Sequence, residues 1–251
     1  MAKHLLDIIN LEASVSETGE KIIRGVDLSI GLGETHVIMG PNGGGKSTLA
    51  NVIAGRNNYQ IDSGSIKFES EDLVQMTVDE RARSGIFMAF QYPSEIPGVR
   101  PWQFLKTAVD AKRKEEGLKE YSVREFSKIY DDNLKSIGID SDLMKRSLNE
   151  GFSGGEKKRN EIFQMLMLEP KLILLDETDS GLDVDALKSV GDAVNKMRDK
   201  SRSFLIVTHY QRLLEHIKPD FVHILIDGEI VQSGDFKLAQ KIESQGYENI
   251  T

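Results

Sequence analysis

Gly40-Pro41-Asn42-Gly43-Gly44-Gly45-Lys46-Ser47 follows the apolar run Thr35-His36-Val37-Ile38-Met39 and leads into Thr48-Leu49-Ala50-Asn51-Val52-Ile53-Ala54. The octet fits the pattern G-x-x-x-x-G-K-[S/T] without a mismatch, and its setting is strand, loop, helix. Glycines let successive backbone N–H groups converge on an anion with no Cβ in the way. The N-terminus of the following helix, read over 47–54 with Gly55 as its stop, adds the positive end of a dipole. Lys46 is spaced to reach the β- and γ-phosphates of a nucleotide, and Ser47 to set its hydroxyl on Mg²⁺. Gly40 to Gly45, with Lys46, Ser47 and Thr48, are therefore the expected nucleotide-binding residues.

Working outward, 5–11 and 22–30 read as strands with a turn at Thr18-Gly19, and Ser63-Gly64 reads as a turn before a short strand at 65–68. A strand is expected at 85–90, ending at Gln91-Tyr92-Pro93. Three prolines, Pro93, Pro97 and Pro101, then open a charged region with helical periodicity at 102–113, 123–137 and 142–146. A helix at 154–168 returns the chain to strands at 171–176, 203–208, 221–227 and 229–233, with helices at 185–198 and 210–217 between them. Strands alternating with helices imply an α/β fold with a mostly parallel core sheet. The strand-rich N-terminus implies an antiparallel β layer. The expected division is a core at 1–92 and 155–251, with an inserted helical subdomain at 93–154.

Leu172-Ile173-Leu174-Leu175-Asp176-Glu177 places two carboxylates at the C-terminal end of a buried strand, where ligands sit in open α/β sheets. Asp176 is the candidate Mg²⁺ partner, and Glu177 the candidate base, or polariser, for an attacking water. Phe152-Ser153-Gly154-Gly155-Glu156 opens a helix and is a second anion cradle. One nucleotide does not need two cradles from one chain, whereas two chains facing head to tail would complete each other's sites.

The order phosphate loop, Gln91, Ser-Gly-Gly-Glu, Asp176-Glu177, Ser180-Gly181-Leu182-Asp183 and His209 resembles that of ATP-binding-cassette (ABC) ATPases. The resemblance implies Mg-ATP binding and hydrolysis, with Lys46, Glu177 and His209 as catalytic residues. It implies Ser47, Gln91 and Asp176 around Mg²⁺, and Gln91 as the link from the helical lobe to the ATP. It also implies that Ser153, Gly154, Gly155, Glu156 and Asp183 act on the ATP of the other copy. The wording at 88–99 (MAFQYPSEIPGV), 151–160 (GFSGGEKKRN), 177–187 (ETDSGLDVDAL) and 208–212 (THYQR) is more particular. It is similar to the SufC family, the ATPases of the SUF iron–sulfur cluster assembly system, over essentially the whole chain. That likeness implies SufB- and SufD-like scaffold proteins as partners and ATP-driven dimerisation of two copies. The aromatic that stacks on adenine in many ABC ATPases is not evident, because Ser14, Val15 and Ser16 stand in that region.

Composition limits the alternatives. A net charge of −8 argues against a general nucleic-acid surface, and Lys157-Lys158-Arg159 reads as a solvated helix face. With no cysteine, the chain cannot ligate an iron–sulfur cluster through its own thiolates. No apolar run approaches the ~18–20 residues that span a bilayer. The default expectation is cytoplasmic, or an organelle stroma if a presequence is removed. His4, His36, His216 and His223 read as structural. A nucleotide-binding subunit of a transporter fits the general motifs equally well, and a non-hydrolysing ATP-gated module is the third reading.

Overall fold

The computed structural model describes residues 4–178, 184–208 and 211–247, and only the backbone at 184–187, 189, 211 and 212. The expected residues Ser180, Gly181, Leu182, Asp183 and His209 lie outside the described residues.

The N-terminal layer is an antiparallel sheet. β1 (Leu6–Val15) pairs with β2 (Lys21–Ile30) on one side and with β4 (Tyr59–Phe68) on the other, and β5 (Glu71–Asp72) closes the edge. Alternating burial along β2 sends Ile23, Val26, Leu28 and Ile30 inward, the period-two signature of a half-buried strand. Ser63-Gly64 is not the expected turn. It lies inside β4, where Gly64 has φ +86°, and a Cβ there would sit 2.2 Å from the carbonyl oxygen of Asn10. The register between β1 and β4 shifts at this point, so the glycine marks a bulge.

The second sheet has six strands: β3 (Thr35–Met39), β6 (Ile86–Ala89), β7 (Leu172–Asp176), β8 (Ser203–Val207), β9 (Phe221–Ile226) and β10 (Glu229–Gly234). Their spatial order is β10-β9-β3-β8-β7-β6, parallel throughout except for the antiparallel hairpin β9–β10. β3, β7 and β8 are buried at every position, as expected for parallel strands covered on both faces. Because the strands run together, the loops after β3, β6, β7 and β8 emerge at one edge.

Eight helices flank the sheets among the described residues. α1 (Lys46–Ala54) follows β3, and α2 (Val78–Ser84) precedes β6. α3 (Pro101–Glu115) and α4 (Val123–Ile137) come between β6 and β7, followed by α5 (Gly154–Leu168). α6 (Val184–Met197), α7 (Gln211–Ile217) and α8 (Phe236–Gln245) complete the set. α2 and α8 were not foreseen, and the helix expected at 142–146 is only a 3₁₀ turn at Leu143–Lys145. α3, α4 and the 3₁₀ turn share an apolar core of their own, built on Leu105, Phe126, Tyr130 and Leu134, and α5 contributes Phe163 and Met167 to it. The opposite side of α5 gives Ile162 and Met165 to the core beneath the parallel sheet. One helix is therefore packed into both halves.

Candidate nucleotide site

The phosphate loop is held in shape by the β9–β10 hairpin. The Gly228 amide donates to the Gly44 carbonyl at 3.0 Å. A Cβ on Gly40 would lie 2.0 Å from the carbonyl oxygen of Leu225, so no other residue fits there. Gly43, at φ +79°, has nothing within 4 Å of its missing Cβ, so the loop leaves open the space that a phosphate would take. α1 starts at Lys46 with no side-chain cap, leaving its first amides to an incoming anion.

Lys46 is buried, and its ammonium donates to the carbonyls of Gly40 (3.0 Å) and Pro41 (2.9 Å). Burial pulls its pKa below the ordinary lysine value, while the charges of Glu177 and Asp176 oppose that shift. A desolvated cation facing two carboxylates is suited to receive a polyphosphate. Ser47 Oγ donates to Asp176 Oδ1 at 2.7 Å, joining the start of α1 to the end of β7. Burial lifts the Asp176 carboxyl above the usual range, and the Ser47 bond works the other way. Gln91 Nε2 donates to Glu177 Oε2 at 3.0 Å. Glu177 itself stands at φ +46°, with its amide bonded to the Val207 carbonyl of the next strand. This conformation is uncommon for a non-glycine residue and turns the side chain out of the line of β7.

Lys46, Ser47, Asp176, Glu177 and Gln91 are thus brought together at one sheet edge. The hydroxyl of Ser47, the buried carboxylate of Asp176 and the amide of Gln91 form an oxygen donor set that fits Mg²⁺. Ser153 stands elsewhere. It N-caps α5, accepting from the Glu156 amide at 3.4 Å, while Glu156 Oε2 accepts from the Ser153 amide at 2.7 Å. Ser153 and Gly154 are exposed, and a Cβ on Gly154 would meet nothing within 4 Å. Among the described residues no hydrogen bond links this cap to residues 40–48.

In the stretch where a stacking aromatic was sought, Val15 lies opposite Tyr59 of β4. Ser14 is buried, donating to Asp62 and accepting from Gln60, and Ser16 donates to the Asn57 carbonyl. The expectation of a solvated Lys157-Lys158-Arg159 face is corrected. Lys157 pairs with Glu95 at 2.7 Å, and Lys158 is buried in an ion pair with Glu161 at 2.9 Å. Sequence reading missed Glu161, Phe90 and Arg56, because nothing in their local pattern shows what they meet. Beside them lies an apolar groove of about 620 Å³ between the core and α3. It is lined by Ile86, Met88, Phe90, Phe104 and Leu168 and rimmed by Arg56.

Comparisons with known proteins show what the chain is similar to. Residues 23–180 match the family model described as ABC transporter. The chain is 51% identical to the probable ATP-dependent transporter SufC of Escherichia coli (strain K12), covering 97% of each chain. It is 51% identical to the probable ATP-dependent transporter ycf16 of Pyropia yezoensis, covering 100% of this chain and 99% of that protein. Among solved structures it resembles a nucleotide-free ATP-binding cassette from an ABC transporter, with TM-score 0.77, 25% identity and 98% of each chain covered. It also shares the fold of a dimeric cassette bound to ADP and phosphate, with TM-score 0.78, 23% identity, and 92% and 98% of the two chains covered.

Proposed function

The chain belongs to the ABC transporter family and is an ATP hydrolase of that type, and from this premise we propose that two copies close on ATP to remodel a SufB/SufD-like scaffold during iron–sulfur cluster assembly. The observation that carries the hydrolytic part is the convergence of Lys46, the Ser47–Asp176 pair and the Gln91–Glu177 pair at one sheet edge. Support for the SUF role comes from the full-length likeness to SufC. The absence of cysteine agrees with it, since cluster ligands would have to lie on the partner.

In this reading Lys46 exchanges the carbonyls of Gly40 and Pro41 for the β- and γ-phosphate oxygens of ATP. Ser47, Asp176 and Gln91 would hold Mg²⁺, which would supply charge neutralisation on the phosphates. Ser153, Gly154 and Gly155 of the second copy, with Glu156 keeping the cap rigid and Asp183 at the interface, enclose the γ-phosphate. Glu177 accepts the proton of a water whose oxygen bonds to the γ-phosphorus, and His209 holds the γ-phosphate in place. The bond from that phosphorus to the β–γ bridging oxygen breaks, leaving ADP and phosphate. Loss of the γ-phosphate removes what the two copies share, and the dimer opens.

The groove beside Phe90 is the proposed seat of the scaffold. Its apolar floor and flanking arginine suit an amphipathic helix. Co-expression with SufB- and SufD-like proteins tests the assignment. A stable complex whose formation raises ATP turnover is expected, whereas co-purification with a membrane permease instead would establish the transporter-subunit reading.

A further inference from the structure

β6 ends at Ala89, so from Phe90 onward the chain has no ladder to hold it. What holds it comes from α5. The Phe90 amide donates to Glu161 Oε1 at 2.8 Å. The Lys158 ammonium donates both to the Phe90 carbonyl and to Glu161 Oε2, the latter at 2.9 Å. Lys158 and Glu161 are 6% and 5% exposed, so neither can trade these bonds for water. The Phe90 carbonyl belongs to the peptide plane that carries the Gln91 nitrogen. Fixing that plane sets where Gln91 leaves the strand, and Gln91 meets Glu177 one bond later. The guanidinium of Arg56, just past the C-terminus of α1, lies 4.4 Å from the Phe90 ring centroid and fixes the other side of the residue.

A buried ion pair is weak ground for stability, because desolvation offsets most of its attraction. Here the pair grips both polar groups of one backbone residue, and that residue is the neighbour of a site glutamine. We propose that Glu161, through the Phe90 backbone and with Lys158, is a positioning residue that sets the Gln91–Glu177 contact and so the rate of hydrolysis. The proposal rests on Gln91 and Glu177 acting in hydrolysis as read above. Burial raises the Glu161 carboxyl above its usual range, so the charges of Lys158 and the amide bond keep it a competent acceptor only while the three groups stay together.

The test is a double-variant cycle on the full chain, reading steady-state ATP hydrolysis, with circular dichroism to confirm folding. Glu161→Leu is expected to lower kcat roughly 10- to 100-fold, the scale of a small misplacement of catalytic groups, with the KM for ATP changed less than about twofold. In the Gln91→Ala background the same substitution is expected to cost less than about twofold more, because the group it positions is gone. Glu161→Gln, which keeps an acceptor for the Phe90 amide, is expected to recover most of the rate. If Glu161→Leu does not fold, the cycle is run with Glu161→Gln, whose smaller loss must likewise vanish in the Gln91→Ala background. Losses that multiply in the double variant, or a Glu161→Leu enzyme at the wild-type rate, would overturn the proposal alone. A Gln91→Ala enzyme at the wild-type rate would overturn the reading of Gln91 and the proposal together.

Discussion

Gln91, two residues past the end of β6, and Glu177, the residue after neighbouring strand β7, are joined by a 3.0 Å hydrogen bond from the glutamine amide to the glutamate carboxylate. The bond uses Nε2 of the amide, so Oε1 would be available to the proposed Mg²⁺ while Nε2 orients the proposed base. The loop that enters the helical region therefore contacts the proposed base directly.

Glu177→Gln keeps the shape and the amide contact but removes the proton acceptor. ATP binding is expected to persist while turnover falls by about 10²- to 10⁴-fold, the usual contribution of a general base. The variant should then accumulate as an ATP-bound dimer. Size-exclusion chromatography with ATP and a phosphate-release assay read both effects, and wild-type turnover would remove Glu177 from the base role.

Lys46→Ala removes a buried cation that faces Asp176 and Glu177. ATP affinity is expected to fall by at least about tenfold, since a desolvated charge pair contributes on the order of 2 kcal/mol or more. Thermal stability without nucleotide should also fall, because Asp176 and Glu177 lose the cation that faces them and the Gly40 and Pro41 carbonyls lose their donor. Binding of a fluorescent ATP analogue checks the first point and a melting curve the second.

Arg81 is a buried cation held by carbonyls rather than by a carboxylate. Its guanidinium donates to the carbonyls of Val52 (2.8 Å), Ile53 (3.0 Å), Leu73 and Met76 (3.2 Å), tying the end of α1 to the 3₁₀ turn at Leu73–Gln75. Arg81→Met leaves those acceptors without their donor and should cost on the order of 3 kcal/mol. That corresponds to a drop of roughly 6–12 °C in Tm for a chain of this size. Arg81→Lys should rescue little, because one ammonium cannot reach four acceptors in a planar fork.

His36 and His223 face each other across β3 and β9 at 2.9 Å, with Glu34 accepting from His36 and Ser233 bonded to His223. Burial lowers both histidines, His223 to about 4. A histidine lowered on folding gives the unfolded chain the greater proton uptake below the ordinary histidine value of 6.5. Stability should therefore fall by about 1.4 kcal/mol per pH unit from His223 alone as pH drops from 6.5 toward 4. Glu34, where burial works upward but the bonds to His36 and Gly31 outweigh it and lower the carboxyl, adds its loss only below the ordinary glutamate value of 4.5. Urea unfolding between pH 8 and 5 measures the slope, and His223→Gln should flatten it. An unchanged slope in that variant would place the titration elsewhere.

Much of the site was legible because its motifs are local. The phosphate loop, the Ser-Gly-Gly cap and the acidic pair are short stretches whose chemistry follows from contiguous spacing, and the structure sets each at the element end that the spacing implied. The periodicity that revealed α3 and α4 gave no warning of α2 or α8. Ser63-Gly64 misled. A glycine forced by the close approach of the Asn10 carbonyl looks in sequence like one required by a turn. The solvated reading of Lys158 failed for a related reason, since burial is a property of the neighbours and Lys158 meets Phe90, 68 positions away.

The sequence by itself determined that this chain carries a phosphate-binding loop in an α/β core and the set of motifs of an ABC ATPase, since each motif is fixed by backbone geometry over a few consecutive residues. Only the tertiary structure decided how the pieces act on one another. Ser47 reaches Asp176 across 129 positions and Gln91 reaches Glu177 across 86, while the Lys158–Glu161 pair closes on Phe90. These contacts depend on which distant segments exclude water from each other. A buried carboxylate and an exposed one are the same letter until the fold is made.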